Sequence, residues 1–368
     1  MRGIAALAVV LFHFNGAIKM ATDTWLPQPL DWVARHGGNG VDIFFVISGF
    51  VIAYSVRNGN YTLGYLVRFM VRRSIRLDPP YWVAITIELT LLALTPVLFP
   101  SIHTPVVSVA QVLSHLVYGQ NILGYGDLDP VFWTLCFEVQ FYSFFVASLV
   151  VWQAARRLGL GRSIAAVYFG AFFVLSLVFR YADVSIPHRG LALSHWFEFF
   201  LGVLTWWSIS KSVSVWWLAT ALFGATAAIL AARVEIISLM PVGVSLLLLV
   251  VAWRGALETF LGGAVFQFFG RISYSLYLFH APIGWRWISL LERVHGGRVG
   301  PLFAWFEFSS AVALTVGISA ITWRLIESPS MRFSKRLGLP QREKPGFRVQ
   351  PGEGAAVASP PVLVDSSA

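Results

Sequence analysis

The sequence predicts an all-α membrane protein, a polytopic bundle of about ten transmembrane helices. Of its 368 residues, 57% are hydrophobic and only 12% are charged, whereas soluble domains carry about 25% charged residues. The mean hydropathy is +0.70, and long apolar runs recur along the chain. The 15 tryptophans and 11 tyrosines suit the two membrane interfaces, where amphipathic rings settle.

Ten apolar segments have the length or character of a span, since a tilted helix needs roughly 20 residues to cross a bilayer. They lie at 3–19, 40–57, 80–99, 131–152, 164–181, 195–209, 214–232, 236–253, 265–289 and 302–325. Residues 1–332 are therefore predicted to form one transmembrane domain. Residues 333–368, which are rich in Pro, Gly, Ser and Ala towards the end, are predicted to be a disordered cytoplasmic tail.

The basic residues orient these spans by the positive-inside rule. They cluster after the second, fourth and tenth spans, at Arg57, Arg68, Arg72, Arg73, Arg76, Arg156, Arg157, Arg162, Arg332, Lys335, Arg336, Arg342, Lys344 and Arg348. The 100–130 loop has no Lys or Arg. We therefore expect both termini on the cytoplasmic side of a bacterial inner membrane. The net charge of +9 is then topogenic charge facing membrane lipid, and no nucleic-acid partner is expected.

The first predicted span carries His13, and Arg2 at its start lies on the same helix face. They are 11 residues apart, which is three helical turns plus about 20°, or about 16 Å along the axis. An ionisable group at membrane depth costs roughly 2.5 to 3.5 kcal/mol, so both should face the bundle interior. Histidine suits proton abstraction from a hydroxyl near neutral pH, which makes His13 a candidate base. The alternative is a topogenic Arg2 and a hydrogen-bonded packing role for His13.

The fourth predicted span presents one carboxylate, Glu138, in a long uncharged stretch that includes Trp133 and Tyr142. Glu138 and Tyr142 share a helix face at i, i+4. A glutamate here would orient or charge-balance a histidine on a facing helix, as an acid does in a hydrolytic triad. The alternative is a structural interhelical hydrogen bond made by a protonated Glu138. The cost of burial favours the functional hypothesis.

Three arginines, Arg72, Arg73 and Arg76, precede the third predicted span. If this segment forms a short interfacial helix, the i, i+3 and i, i+4 spacings gather them in one guanidinium patch. Guanidinium forks suit phosphate oxygens, so a phosphate-bearing donor such as coenzyme A would fit there. The alternative is a topogenic cluster that touches lipid head groups.

For the other polar groups in the apolar runs, a structural role is the preferred interpretation. They are Asp42 and Ser48 in the second span, His280 in the ninth, and Glu327 just past the tenth. Cys136 is the single cysteine, which excludes an internal disulfide and a thiolate cluster, and no metal site is predicted. The sequence has no G-x-S-x-G, G-x-x-x-x-G-K-[ST] or H-E-x-x-H motif, so an ATP-driven pump or zinc protease is not expected.

Taken in order, these segments resemble the membrane acyltransferase-3 family. Six motifs carry the resemblance over almost the whole chain outside the tail: Arg2-x10-His13, Gly40-Val-Asp42-Ile-Phe-Phe-Val-Ile-Ser48-Gly49-Phe50, Arg73-Ser-Ile-Arg76-x-x-Pro79-x-Tyr81-Trp82, Trp133-x4-Glu138-x-x-Phe141-Tyr142, Ser273-Tyr-Ser-Leu-Tyr-Leu-Phe-His280 and Glu327-x-Pro329. No single motif is decisive, but the ordered set is specific.

The resemblance implies an acyl-coenzyme A donor, expected to be acetyl-CoA, and an acceptor hydroxyl on a carbohydrate or glycan. It implies His13 as the essential base, with Arg2 in the same motif, and Arg73 and Arg76 at the donor, with Arg72 nearby. Glu138 matches the family's glutamate. The remaining motif residues hold substrate or structural positions: Asp42, Ser48, Tyr81, Trp133, Tyr142, His280 and Glu327. Many members carry a fused SGNH hydrolase-like domain, which this sequence lacks, so a partner protein or direct transfer must complete the reaction.

The expected function is therefore an integral membrane O-acyltransferase in which His13, assisted by Glu138, deprotonates the acceptor hydroxyl for attack on the thioester. A covalent acyl-histidine relay stands as an alternative to direct attack. A proton-coupled transporter or flippase of a polar lipid or sugar is a second candidate, because such carriers also use intramembrane His, Glu and Asp. Carriers often show inverted repeats, and this sequence shows no such symmetry.

Overall fold

A computed structural model of the chain describes residues 1–19, 22, 25–159, 161–182, 184, 190–296 and 300–341, with the backbone alone for 161–166. Over these residues the chain is helical, and one isolated antiparallel bridge joins Gly59 to Gln341. The helices are α1 (Arg2–Ile18), α2 (Gln28–His36), α3 (Gly40–Val56), α4 (Leu63–Leu98), α5 (Val109–Leu116), α6 (Trp133–Arg157), α7 (Gly161–Tyr181), α8 (Trp196–Ile209), α9 (Val215–Ala231), α10 (Met240–Trp253), α11 (Ala264–Phe279), α12 (Arg286–His295), α13 (Pro301–Thr322) and α14 (Ser328–Arg336).

Each of the ten predicted spans falls on a helix, which confirms the all-α membrane bundle. Within the described part of the chain, five helical stretches are long and apolar enough to cross a bilayer: Gln28–Val56, Leu63–Leu98, Trp133–Arg157, Ile236–Trp253 and Pro301–Arg336. Shorter apolar helices lie at Arg2–Ile18, Val167–Tyr181 and Val215–Ala231.

The arginine-rich segment before the third predicted span is part of a long helix. α4 begins after Thr62, whose hydroxyl accepts a hydrogen bond from the Tyr65 N–H at 3.2 Å, and it continues through Pro79 and Pro80. Proline normally interrupts a helix because it lacks an N–H, but neighbouring helices support such interruptions in membrane proteins. Beside this proline pair, the Tyr274 hydroxyl of α11 donates to the Leu77 carbonyl at 2.9 Å, which ties α4 to α11. The arginines therefore occupy defined helical positions.

α3 and α8 pack with almost no space between their backbones. A β-carbon at Gly49 would lie 1.8 Å from the Phe199 carbonyl oxygen, and one at Gly202 would lie 1.9 Å from the Val46 carbonyl oxygen. Small residues allow this approach, which is a usual way for helices to associate in lipid. The phenylalanine side chains beside the contact stack, with Phe45 and Phe199 rings 4.4 Å apart. α3 is thereby held rigidly, which positions Ser48.

α1 lies inside the bundle and contacts α2, α3, α11 and α13. A β-carbon at Gly3 would lie 2.6 Å from the backbone of Phe269 in α11, so the two helices touch closely near their starts. Two π-helical segments interrupt the neighbouring helices: His280–Trp285 joins α11 to α12, and Trp323–Glu327 joins α13 to α14. π segments are rare and occur often at functional sites.

The helical region ends a few residues later than the predicted start of the tail at residue 333. α14 continues to Arg336, past residue 332. The following residues return to the α3–α4 connection, where the Asn60 N–H donates to the Pro340 carbonyl at 3.1 Å. The rest of the predicted tail, residues 342–368, lies outside the described residues.

Candidate functional site

A pocket opens between α1, α3, α6 and α11. It is lined by Arg2, Val41, Phe44, Phe45, Ser48, Thr134, Leu135, Glu138, Tyr274 and Tyr277. Arg2 and Glu138 supply its charged groups, Ser48, Thr134 and two tyrosines supply hydroxyl groups, and aromatic rings supply much of the remaining wall. The pocket therefore has a polar region and an apolar region. The four helices that line it all carry motifs named in the sequence analysis.

Glu138 is bonded within the polar region of this pocket. Its Oε1 accepts a hydrogen bond from Ser48 Oγ at 2.6 Å and another from the Tyr142 hydroxyl. The Tyr142 ring lies 5.1 Å from the guanidinium carbon of Arg73, which also donates to Ser55 Oγ at 3.4 Å. Glu138 thus connects α3 and α6 to an arginine of α4, and none of these bonds reaches His13.

Three arginines, Arg2, Arg73 and Arg76, converge on this region and are called the arginine cluster. Arg76 lies within electrostatic range of both Arg2 and Glu327. Glu327 accepts a hydrogen bond from Ser275 Oγ at 2.6 Å. Nε of Arg2 is buried and has no hydrogen-bond partner among the described residues. The cluster therefore presents an unmet donor and excess positive charge to the pocket.

Arg72 differs from its neighbours in the sequence. It is rotated about 100° around α4 from Arg73, and its electrostatic influence falls on Tyr65. None of the three predicted donor arginines lines the pocket, but Arg73 and Arg76 lie within electrostatic range of Arg2 and Glu138, which do line it. The structure therefore separates the predicted donor residues into Arg73 and Arg76, which join the cluster, and Arg72, which does not.

His13 and His280 form a hydrogen-bonded pair, called the histidine pair. Nδ1 of His13 and Nε2 of His280 are 2.9 Å apart. His280 is fully buried, whereas His13 is half-buried. The Trp285 ring stacks beside His13 with centroids 5.9 Å apart. Sequence reasoning singled out each histidine but missed the pairing, because 267 residues separate them.

The partners of His280 assign the protons in this pair. Nδ1 of His280 lies 2.7 Å from the Tyr277 carbonyl oxygen, which can only accept, so this nitrogen carries a hydrogen. In neutral His280, Nε2 is then an acceptor, and Nδ1 of His13 must donate to it. The Val9 carbonyl one turn earlier in α1 also hydrogen-bonds to the His13 ring, and it too can only accept. Because neutral His13 has a single N–H, on Nδ1, its Nε2 keeps a free lone pair. His13 is therefore held in the tautomer that can accept a proton at Nε2.

The π segment after α11 brings His280 to α1. His280 is its first residue, and Gly284 lies against Phe14 of α1 and Thr315 of α13. A β-carbon at Gly284 would lie 2.0 Å from Phe14 Cζ. Only glycine allows this approach, so the segment positions the histidine pair by backbone contact.

The remaining predicted residues lie outside these two groups. Asp42 is buried near Glu198 and His195, which sequence reasoning did not select as a pair. Nδ1 of His195 lies 3.0 Å from Glu198 Oε1, and the Trp133 ring packs 5.6 Å from the His195 ring. The i, i+3 spacing of His195 and Glu198 was the available sequence signal.

Tyr81 stacks on another tyrosine in the part of the bundle near the 100–130 loop. Its ring lies 4.7 Å from that of Tyr118, and it contacts Phe132 edge-on. Tyr81 is therefore a packing residue in this structure. Sequence reasoning also missed an ion pair between the buried Glu88 of α4 and the half-buried Arg286, the residue that follows Trp285.

Comparisons with known proteins agree with the motifs. The family described as an acyltransferase domain matches residues 1–324. Nodulation protein 10 of Rhizobium leguminosarum bv. viciae is 29% identical over 329 residues, which cover 81% of this chain and 83% of that protein. Exopolysaccharide production protein ExoZ of Rhizobium meliloti (strain 1021) is 34% identical over 117 residues, 31% of this chain and 34% of that protein. No solved structure matches the chain. Because the family match spans most of its length, the chain belongs to the acyltransferase-3 family and is an integral membrane protein.

Proposed function

We propose that the protein is an O-acyltransferase that moves an acyl group, acetyl in the simplest case, from acyl-coenzyme A to a hydroxyl of a carbohydrate or glycan. The observation that carries this proposal is the arrangement along α1. A free imidazole lone pair and an unpaired guanidinium lie on one interior helix, with the pocket beside it. The name of the relative from Rhizobium meliloti supports an exopolysaccharide as the acceptor class.

The arginine cluster suits the phosphate-bearing end of the donor. Phosphate oxygens accept bidentate, charge-assisted hydrogen bonds from guanidinium groups, and the buried Nε of Arg2 lacks such an acceptor. The aromatic wall formed by Phe44, Tyr274 and Tyr277 suits a narrow, mostly uncharged acyl-pantetheine arm. Tyr277 lines the pocket, and its backbone carbonyl bonds to His280, so one residue connects the pocket wall with the histidine pair. We place the arginine cluster on the cytoplasmic side of an inner membrane, where coenzyme A is available.

The reaction then follows from the free lone pair of His13. The acceptor hydroxyl gives its proton to Nε2 while its oxygen attacks the carbonyl carbon of the thioester. The carbon–sulfur bond breaks as the tetrahedral intermediate collapses, and the protonated imidazole returns its proton to the leaving thiolate. The products are an acyl ester and free coenzyme A thiol, with no change in oxidation state. Direct attack requires no covalent enzyme intermediate.

The test uses membrane vesicles that contain the protein and receive [1-¹⁴C]acetyl-CoA, with label counted in the extracted glycan fraction. The wild-type protein should transfer label and release an equal amount of thiol. His13→Ala should lower transfer by about 10² to 10⁴-fold, because a general base contributes that much. Full transfer by His13→Ala would refute the mechanism. Movement of unacylated glycan across the vesicle membrane without labelling would instead support the transporter alternative.

A further inference from the structure

We propose that His280 is a positioning residue that holds His13 in its reactive tautomer. This inference rests on the proposed function, because it names how the base of that reaction is prepared. His280 does not reach a reacting atom itself, since both of its ring nitrogens are occupied by Tyr277 and His13. It acts through the bond that it accepts from His13.

The bond, together with the contact of the His13 ring to the Val9 carbonyl, removes a choice that an isolated imidazole has. A neutral histidine can carry its proton on either ring nitrogen, and only one of the two forms leaves Nε2 free. With Nδ1 of His280 committed to the Tyr277 carbonyl at 2.7 Å, its Nε2 can accept but not donate in the neutral form. The alternative, a charged His280 that donates to His13, would place a full charge where the side chain is 0% exposed. No carboxylate among the described residues bonds to His280 to offset that cost.

The same bond assists the step in which His13 becomes charged. After His13 takes the proton at Nε2, its Nδ1–H still points at the lone pair of His280. The neutral partner therefore stabilises the imidazolium as a hydrogen-bond acceptor, in the way that a carboxylate orients and stabilises the imidazole of a hydrolytic triad. A neutral acceptor in this position needs no counter-ion of its own in the apolar interior.

Two contacts hold the ring of His280 in place. Its own Nδ1–H is fixed by the Tyr277 backbone one turn earlier, and the π segment that it begins is pressed against Phe14. A side chain that reproduces only the acceptor at the Nε2 position should therefore replace much of its effect. Gln places an amide oxygen near that position, whereas the shorter Asn mimics Nδ1 and does not reach His13.

The experiment compares His280→Ala, His280→Asn and His280→Gln in the labelled-glycan assay. We expect kcat to fall about 10- to 100-fold in the Ala and Asn variants, the usual effect of losing a residue that orients a reactive ligand. The KM for acetyl-CoA should stay unchanged, and Gln should recover most of the loss. Equal kcat in all three variants and the wild type would overturn the proposal. Equal loss in all three, with Gln no better than Ala, would also overturn it.

A second measurement does not depend on activity. Protein carrying ¹⁵N-labelled histidine in lipid nanodiscs reports the tautomer by the ¹⁵N shifts of each ring, with the His13 signal identified by its absence in His13→Ala. Wild-type and His280→Gln should show Nδ1–H in His13, and His280→Ala should show a mixture with Nε2–H. If His13 had the same tautomer in the wild type and in all His280 variants, the positioning role would be contradicted. If no variant transfers label but the tautomer shifts as expected, the proposed function fails and the positioning role stands.

Discussion

The arginine cluster and the histidine pair lie towards opposite ends of α1 and are built in opposite ways. The cluster gathers Arg2, Arg73 and Arg76 with carboxylates and an aromatic ring nearby, and its charges are only partly offset. The histidine pair bonds to itself and to the backbone carbonyls of Tyr277 and Val9, and no carboxylate of the described chain bonds to either ring. One end carries permanent charge, whereas the other can take up and release a proton.

This difference separates binding from chemistry. Permanent charges that meet phosphate in the ground state lower KM without changing kcat, because they stabilise substrate and transition state alike. A titratable base acts when the proton moves and changes kcat. Substitutions at the two ends should therefore have different kinetic signatures, and the activity should fall on acidification, because a protonated His13 cannot accept a second proton.

The largest effect on the binding side should come from replacing Arg73 and Arg76 together by Ala. Each charge-assisted hydrogen bond contributes about 1.5–3 kcal/mol, so the double variant should raise the KM for acetyl-CoA by at least about 100-fold while kcat stays near the wild-type value. Initial rates of thiol release against acetyl-CoA concentration give both constants. The sequence neighbour Arg72→Ala is the matched control and should change KM little. A similar rise in the control would mean that net charge, and not the pocket, sets the donor affinity.

On the chemical side, Gly284→Ala should damage the histidine pair without touching either ring. The added methyl group would meet Phe14 and force α1 and the π segment apart, and such overpacking costs about 1–3 kcal/mol. We expect kcat to fall about 10-fold with KM unchanged. Gly317→Ala in α13 is the control, because nothing lies within 4 Å of its β-carbon position. Equal kcat for the two variants would show that the pair tolerates displacement of this segment.

The sequence predicts the helices well because hydropathy is a local property of each segment, and it predicts Arg2 and His13 on one face because both lie on a single helix. The bond between His13 and His280 depends on how α11 and its π segment pack against α1, which no spacing encodes. The partner of Glu138 on its own helix, Tyr142, follows from i, i+4 spacing, whereas Ser48 does not. Contacts within one helix can therefore be predicted from the sequence, whereas contacts between helices that are distant in the sequence cannot.

A histidine–carboxylate pair that is close together in the sequence illustrates the same limit. His195 and Glu198 form the histidine–carboxylate pair that most resembles part of a hydrolytic triad, and they are only three residues apart. In the structure, the His195 ring is enclosed by the rings of Phe45, Trp133 and Phe137 at 5.4 to 5.6 Å. His13 of the less conventional pair is more exposed than the buried His195, so exposure matters more here than the identity of the partner.

The smallest expected effect on kcat is that of Glu138→Gln, and its size distinguishes two roles for Glu138. The bonds of Glu138 to Ser48 and Tyr142 indicate that it serves the region of the arginine cluster. In that case Glu138→Gln should keep kcat within about 3-fold of the wild-type value, because the amide oxygen can still accept and only one hydrogen bond is weakened. If it assists His13 electrostatically, as the sequence suggested, kcat should fall by about 10²-fold or more. Tyr142→Phe, which removes one of the two donors to Glu138 but keeps the ring beside Arg73, is the control. A large loss of kcat in Glu138→Gln alone would join the two ends of α1 into one catalytic unit and end the separation of binding from chemistry.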